Sequence, residues 1–230
     1  MQDTSSKFTR VTLPGLDFQL VSHTTMDGRV YTTPEGNIYP SASTISRILT
    51  RDGIMAWRER VGEAEANKKT NRGAKRGTLV HTICEKYLLG TLTDMERIGM
   101  FPTTKELFLQ LKKELDNRIG IVYAVEQALY SDKLRVAGRT DAIVEWDGEL
   151  AILDFKTSEK PKPLKWIVNY FVQTAAYAVM VEERTGVPVN KLVIAMAVEE
   201  SNVPVVYIEE KAPYLSILQQ CIDTHYTENS

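Results

Sequence analysis

The sequence predicts an α/β protein: a mixed central β-sheet flanked by helices, with a helical addition on its N-terminal side. Three observations carry this expectation. Between residues 121 and 156, three segments rich in Val, Ile, Leu and Tyr follow one another, divided by turn residues. A long helical stretch then separates them from two further strand-like segments, the alternation from which layered α/β folds are built. Ahead of them, apolar residues recur mainly at helical spacing. The expected organisation is an N-terminal arm and helical region over residues 1–118 and a sheet-bearing core over 119–230, packed as one compact domain.

Residues 1–40 are rich in Thr, Gly and Pro and read as an irregular arm with a small hairpin; Asp27-Gly28 and Glu35-Gly36-Asn37 are its turn candidates. Ser41, Ser43 or Thr44 can cap a short helix through Leu49. A second helix is expected after Asp52, through Trp57 and Val61, fraying near Lys69 before a break at Thr70-Asn71-Arg72-Gly73. From Gly77 to Leu89 the pattern is amphipathic, with Val80, Cys84 and Tyr87 or Leu88 on one apolar side, and Gly90 is placed to stop it. Leu107, Phe108, Leu111 and Leu115 predict another helix between Thr104 and Arg118. Strands are expected from Ile121 to Tyr130, Leu134 to Trp146 and Glu149 to Lys156. Pro161 and Pro163 end that run. A long helix from Leu164 to about Thr185 is closed by Gly186 and Pro188. Two strands, Lys191 to Val198 and Pro204 to Glu209, precede a last helix near Pro213 to Tyr226.

The chain has 230 residues, enough for one sizeable core, and its 43% hydrophobic and 25% charged content is ordinary for a globular protein. No run approaches the roughly 18 apolar residues of a membrane span, and the start lacks the charged-then-apolar order of a secretory signal. No membrane partner is therefore expected, and the expected compartment is the cytoplasm of a bacterium or of a phage-infected host. The 2 cysteines, Cys84 and Cys221, are far apart and read as reduced core thiols. With histidine limited to His23, His81 and His225, a His-rich zinc site is not expected.

The chemistry concentrates at Gly138-Arg139-Thr140-Asp141 and Leu153-Asp154-Phe155-Lys156-Thr157. Asp154 and Lys156 are two apart, so on a strand both leave the same face. Asp141 comes within cross-strand reach if the strands are joined through Asp147-Gly148, a strong hairpin signal. Two carboxylates beside an ammonium suit Mg²⁺- or Mn²⁺-assisted phosphodiester hydrolysis. The acids hold the cation, and the lysine steers water or neutralises developing charge. A single strand-end aspartate is more commonly just solvated. Asp154, however, lies in an apolar run that reads as a central strand, where a charge needs a partner or a metal.

These residues resemble the PD-(D/E)xK nuclease superfamily, in the branch related to RecB-type nuclease domains and mitochondrial genome maintenance exonucleases. Four motifs between residues 76 and 177 carry the resemblance in order: Arg76-Gly77-Thr78-Leu79-Val80-His81 with Glu85, then Val125-Glu126, the Asp141/Asp154/Lys156 set, and Gln173-Thr174-Ala175-Ala176-Tyr177. A lone D-x-K would mean little. The resemblance implies a restriction-endonuclease-like core with Asp141, Asp154 and Lys156 catalytic. It implies metal contact from His81, Asp141, Asp154 and the carbonyl of Phe155. Glu85, Glu126, Gln173 and Tyr177 would order the site or the substrate, although helix–sheet packing is the plainer reading of Tyr177 and a cross-strand pairing with Arg135 or Arg139 that of Glu126. Some relatives in this branch carry a four-cysteine iron–sulfur cluster; two cysteines exclude one here.

A net charge of −2 does not favour nucleic acid by itself. Distribution matters more, and Lys68, Lys69, Arg72, Lys75 and Arg76 form a basic run that beside a nuclease motif reads as a DNA contact. The expected activity is a metal-dependent DNA exonuclease working on single strands or free ends and leaving a 5′ phosphate, in replication, recombination or repair. Replication or recombination proteins are its natural partners, and a phage enzyme would suit the compact chain. A flap- or branch-selective endonuclease and a non-catalytic DNA-binding recombination accessory are the alternatives. An intact Asp141/Asp154/Lys156 set speaks against the last.

Overall fold

A computed structural model describes residues 7–229; the first six residues of the expected arm lie outside the described residues. The arm contributes β1 (Thr9–Arg10) and a small antiparallel sheet of β2 (Val21–Thr25), β3 (Gly28–Thr32) and β4 (Ile38–Pro40). Thr25 pairs with Gly28, so the hairpin turns on Met26-Asp27, one residue before the expected position. Ser41 caps α1 (Ala42–Ser46) by accepting the Thr44 N–H at 3.0 Å, and a 3₁₀ turn leads into α2 (Arg51–Val61).

The next helix corrects the sequence reading. No break occurs at Thr70–Gly73; α3 runs unbroken from Glu63 to Leu89 over 27 residues. The interruption falls earlier, at Gly62, whose φ of 82° is a conformation that residues with a Cβ rarely adopt. The elbow is fastened by Arg58, which ion-pairs with Glu63 and donates to Asn67 at 2.6 Å. A glycine inside a helix costs about 1 kcal/mol. Burial of Ala66 on one side of Gly73, and of Val80, Cys84, Tyr87 and Leu88 on the other, outweighs that cost. Gly90 closes α3 in the left-handed region, as expected.

A short α4 (Asp94–Ile98), started by a Thr93/Glu96 capping box that the sequence reading passed over, precedes α5 (Pro102–Arg118). Then come β5 (Ile119–Ser131), β6 (Val136–Trp146), β7 (Glu149–Ser158), α6 (Val168–Thr185), β8 (Lys191–Val198), β9 (Val205–Glu210) and α7 (Ala212–Glu228). The main sheet has six strands in the order β1-β5-β6-β7-β8-β9. It is mixed: β7 and β8 are parallel, as are β1 and β5, and the other neighbours are antiparallel. The fold is thus the α/β arrangement expected, a mixed sheet between helices.

Strand alternation divides the apolar residues between two layers. Ile143 and Ile152 pack with Phe171, Ala175 and Met180 of α6 and Leu218 of α7. Ala142, Val144, Ala151 and Leu153 face the other way, onto Val80, Cys84 and Leu88 of α3 and Leu107, Leu111 and Leu115 of α5. Of the helices that precede residue 119, α3 and α5 thus cover this face, while α1 joins the opposite layer through Ala42 and Ile45. Both cysteines are free and fully buried. No helix among the described residues is long and apolar enough to cross a membrane.

Candidate active site

The site forms where a hairpin comes apart. Asp147 and Gly148, both at positive φ, make the two-residue turn joining β6 to β7. Pairing proceeds from Trp146↔Glu149 to Ala142↔Leu153 and stops. The next positions in register are Asp141 and Asp154. Rather than continue the ladder, Asp141 Oδ2 accepts the Phe155 N–H at 2.7 Å. On its other side β5 places Val125 opposite Ala142 and Gln127 opposite Thr140, so Glu126 stands level with Asp141. Three carboxylates from three neighbouring strands thus lie in one row, Glu126, Asp141 and Asp154.

Glu126 itself sits at φ 52°, left-handed for a residue with a full side chain. Such a conformation costs on the order of 1–3 kcal/mol and persists only where the surroundings enforce it. Neither Arg135 nor Arg139 closes an ion pair on it among the described residues. Burial, then the charges of Asp141 and Glu85, push its carboxyl up to about 6.

Helices bring the remaining groups from both layers. From α3, His81 Nδ1 lies 3.2 Å from Asp141 Oδ2, and its ring meets the Phe155 ring edge to face, with centroids 6.0 Å apart. Glu85 follows one helical turn later, half-buried. From β7, the Lys156 ammonium pairs with Asp154 Oδ2 and stands 4.9 Å from the centre of the Tyr170 ring on α6. The sequence offers Tyr170 only as one of four aromatics, with Trp57, Trp166 and Phe171, that could stack on bases of a single strand but are more often core. Only the fold puts it against the lysine.

Electrostatics separate the two central acids. Burial pushes Asp154 up to about 6, with Asp141 adding to the rise and Lys156 and His81 opposing it. For Asp141 burial acts in the same direction, but His81, Lys156 and the Phe155 amide outweigh it and hold the carboxyl below the ordinary range. Burial opposes the charged forms of Lys156 and His81, yet the facing carboxylates prevail and raise both.

Gln173 and Tyr177 lie together on α6, with Gln173 Nε2 donating to Tyr177 Oη at 3.2 Å. Tyr177 is buried in the helix–sheet interface against Gly138, where an added Cβ would come within 2.7 Å of the ring. The lysine is held by Asp154 and Tyr170, while Gln173 bonds to Tyr177.

The basic run divides in two. Arg76 is largely buried, pairing with Glu199 at 2.7 Å and donating to Thr157 at 3.2 Å, so it ties α3 to the end of β7. Arg72 reaches the same glutamate at 3.0 Å from a more exposed position. Lys68, Lys69 and Lys75 are exposed, and Lys68, Lys69, Arg72 and Arg76 line a small cleft of about 190 Å³. Arg76→Ala is expected to cost about 2 kcal/mol, a melting-temperature drop of roughly 4–8 °C. Lys75→Ala should shift the melting temperature by less than about 2 °C. Paired thermal melts check this.

Among the described residues no three His, Cys, Asp or Glu side chains are gathered on one point. The carboxylates are instead engaged in pairs, Asp154 with Lys156 and Asp141 with His81. Asp154 Oδ2 is nevertheless buried without an aligned hydrogen-bond donor, since the ammonium approaches it outside hydrogen-bond geometry. A carboxylate oxygen in that condition, beside a second carboxylate and an imidazole, fits a hard divalent cation.

A carboxylate row and a lysine at an opened hairpin in a mixed sheet form the setting of a PD-(D/E)xK site. Residues 100–213 match the model of the PD-(D/E)XK nuclease superfamily. It is similar to mitochondrial genome maintenance exonuclease 1 of Homo sapiens, with 27% identity over 135 residues, 55% of this chain and 39% of that protein. The Mus musculus protein of the same name shares 37% identity over 57 residues, 25% of this chain and 17% of its own. The chain thus spans well under two thirds of the length of these relatives. A candidate exonuclease from Eubacterium rectale has a related crystal structure, with a TM-score of 0.46 and 16% identity over 66% of this chain and 65% of that one.

Proposed function

We propose that this chain is a divalent-metal-dependent DNA exonuclease that hydrolyses phosphodiester bonds from free ends of single-stranded DNA. One observation carries the reading: the Glu126–Asp141–Asp154 row ends beside an ammonium, at the point where β6 and β7 part. The exonuclease names of its relatives support the end-dependent form.

Asp141 and Asp154, with His81 and the Phe155 carbonyl, would hold Mg²⁺ or Mn²⁺; imidazole tilts the preference toward Mn²⁺. Such a cation supplies a water of lowered pKa and neutralises charge on the oxygens around phosphorus. The chain's own groups do the positioning. Lys156, steadied by the Tyr170 ring, presents a proton and a positive charge to a phosphate oxygen. The Phe155 amide fixes one Asp141 oxygen, leaving the other for a ligand. Glu126, with its carboxyl near 6, can take a proton from water at neutral pH. The exposed lysines at 68, 69 and 75 would neutralise phosphates farther along the strand.

The test is degradation of end-labelled linear single-stranded, linear double-stranded and circular single-stranded DNA, with Mg²⁺ or Mn²⁺ and with chelator. Shortening of the linear single strand alone, stopped by chelator, is the expected result. Nicked circles would replace the reading with an endonuclease. Intact DNA under every condition would leave a binding protein. Removing the charges of Lys68, Lys69 and Lys75 together should flatten the salt dependence of DNA binding by about 2 in log–log slope.

A further inference from the structure

Between α2 and the 3₁₀ turn that precedes α6 runs a groove of about 780 Å³ that the site above does not use. Its lining combines Trp57 and Trp166 with Arg60, Lys162 and Lys165, and no carboxylate is among its lining residues. Trp166 is 65% exposed, an unusual state for an indole, and Leu164 and Ile54 beside it are also open to solvent. None of the three cations is engaged in an ion pair among the described residues, although the surface elsewhere is rich in such pairs. In a chain with a net charge of −2, three such cations around one exposed and one half-buried indole make a local positive surface.

The groove is also joined to the catalytic lysine. Lys162 Nζ donates to Tyr170 Oη at 3.3 Å and lies 5.6 Å from that ring's centre. On the same ring, at 4.9 Å, stands Lys156. One tyrosine therefore separates the groove's cations from the reacting centre.

We propose that this groove binds the single-stranded part of the DNA substrate, with unpaired bases stacking on Trp166 and Trp57 and phosphates running along Arg60, Lys162 and Lys165. The inference rests on the nuclease reading and adds to it the source of single-strand preference. Indole faces accept a base only when it is unpaired, whereas basic side chains alone hold duplex and single strand alike. Stacking also tolerates any sequence, which suits an enzyme that must move along whatever strand it is given.

The experiment is binding of fluorescein-labelled oligothymidylate and of a matched duplex to the full chain in chelator, followed by anisotropy and by quenching of tryptophan fluorescence. Trp166→Ala and Trp57→Ala are each expected to weaken single-strand binding about 10-fold, with Trp166→Phe retaining most of the affinity. Neutralising Arg60, Lys162 and Lys165 together should lower the log–log salt slope by about 2. Thermal melts confirm that the variants are folded, which the exposure of Trp166 favours. Single-strand affinity unchanged in both alanine variants would overturn the groove, as would equal binding of duplex. A dimer seen in sedimentation and abolished by Trp166→Ala would also overturn it, by making the groove a self-interface. Failure of the nuclease reading itself is read separately, as intact DNA in the cleavage assay with metal.

Discussion

Replacing Lys156 with Ala is expected to slow cleavage by at least about 10²–10³-fold, the loss usual when one charge-stabilising donor is removed from an active site. The ammonium lies between the Asp154 carboxylate and the Tyr170 ring, so its place is set from its own strand and from α6. Arg should not restore the rate, because a planar guanidinium cannot occupy the place of a compact ammonium against that ring. Stability complicates a single substitution. Taking one partner from a buried ion pair costs about 3–5 kcal/mol, because the other charge is left in low dielectric. Asp154 is almost fully buried and would be that charge. The double variant Lys156→Met with Asp154→Asn removes both charges and should regain much of the melting temperature lost in Lys156→Met. It should regain no cleavage. A double variant that cut DNA at the wild-type rate would remove Lys156 and Asp154 from the chemistry.

Gly138→Ala is expected to cost about 2 kcal/mol, a drop of roughly 4–8 °C in melting temperature, and to lower kcat by about 10²-fold. The added Cβ would meet Tyr177 Cε1 at 2.7 Å and Oη at 3.0 Å. Tyr177 cannot yield easily, since it is buried and its hydroxyl accepts from Gln173. The strand must give instead, and three residues later that strand carries Asp141. Tyr177→Leu in the same chain opens space for the methyl, so the two substitutions together should cost less than their sum. Strict additivity in the melts, with unchanged kcat in Gly138→Ala, would show that this contact does not position Asp141.

Much of the architecture was legible because its signals are local. Asp147-Gly148 predicts the hairpin, and that hairpin's register alone brings Asp141 level with Asp154. Gly90 and Gly186 end their helices where expected, both in the left-handed region. Glu126 was less legible. Its place opposite Asp141 depends on register shifts between Ile119 and Ala124 that no local pattern announces. The unbroken α3 was misread because Thr70 to Gly73 is a poor helical stretch by propensity, and only the burial on either side of it reveals why it stays helical. Arg76 joined the basic run by sequence, while its partner Glu199 lies 123 positions away and could not be foreseen. Tyr170 and Trp166 looked alike as aromatics near a helix start. Their different fates, one against a lysine and one in solvent, are set by packing alone.

The continuity of α3 has a metrical consequence. Lys68 and His81 belong to one rod with no joint between them, and thirteen residues at 1.5 Å each hold them about 20 Å apart along its axis. A helix broken at Gly73 would have let the phosphate contacts and the reacting centre drift independently. If the lysines take phosphates as proposed, the rod makes them a ruler: a phosphate settled against them would already fix the distance to the bond that is cut. Lengthening α3 by one whole turn ahead of Arg76 would reset that distance by about 5.4 Å without touching a single catalytic atom.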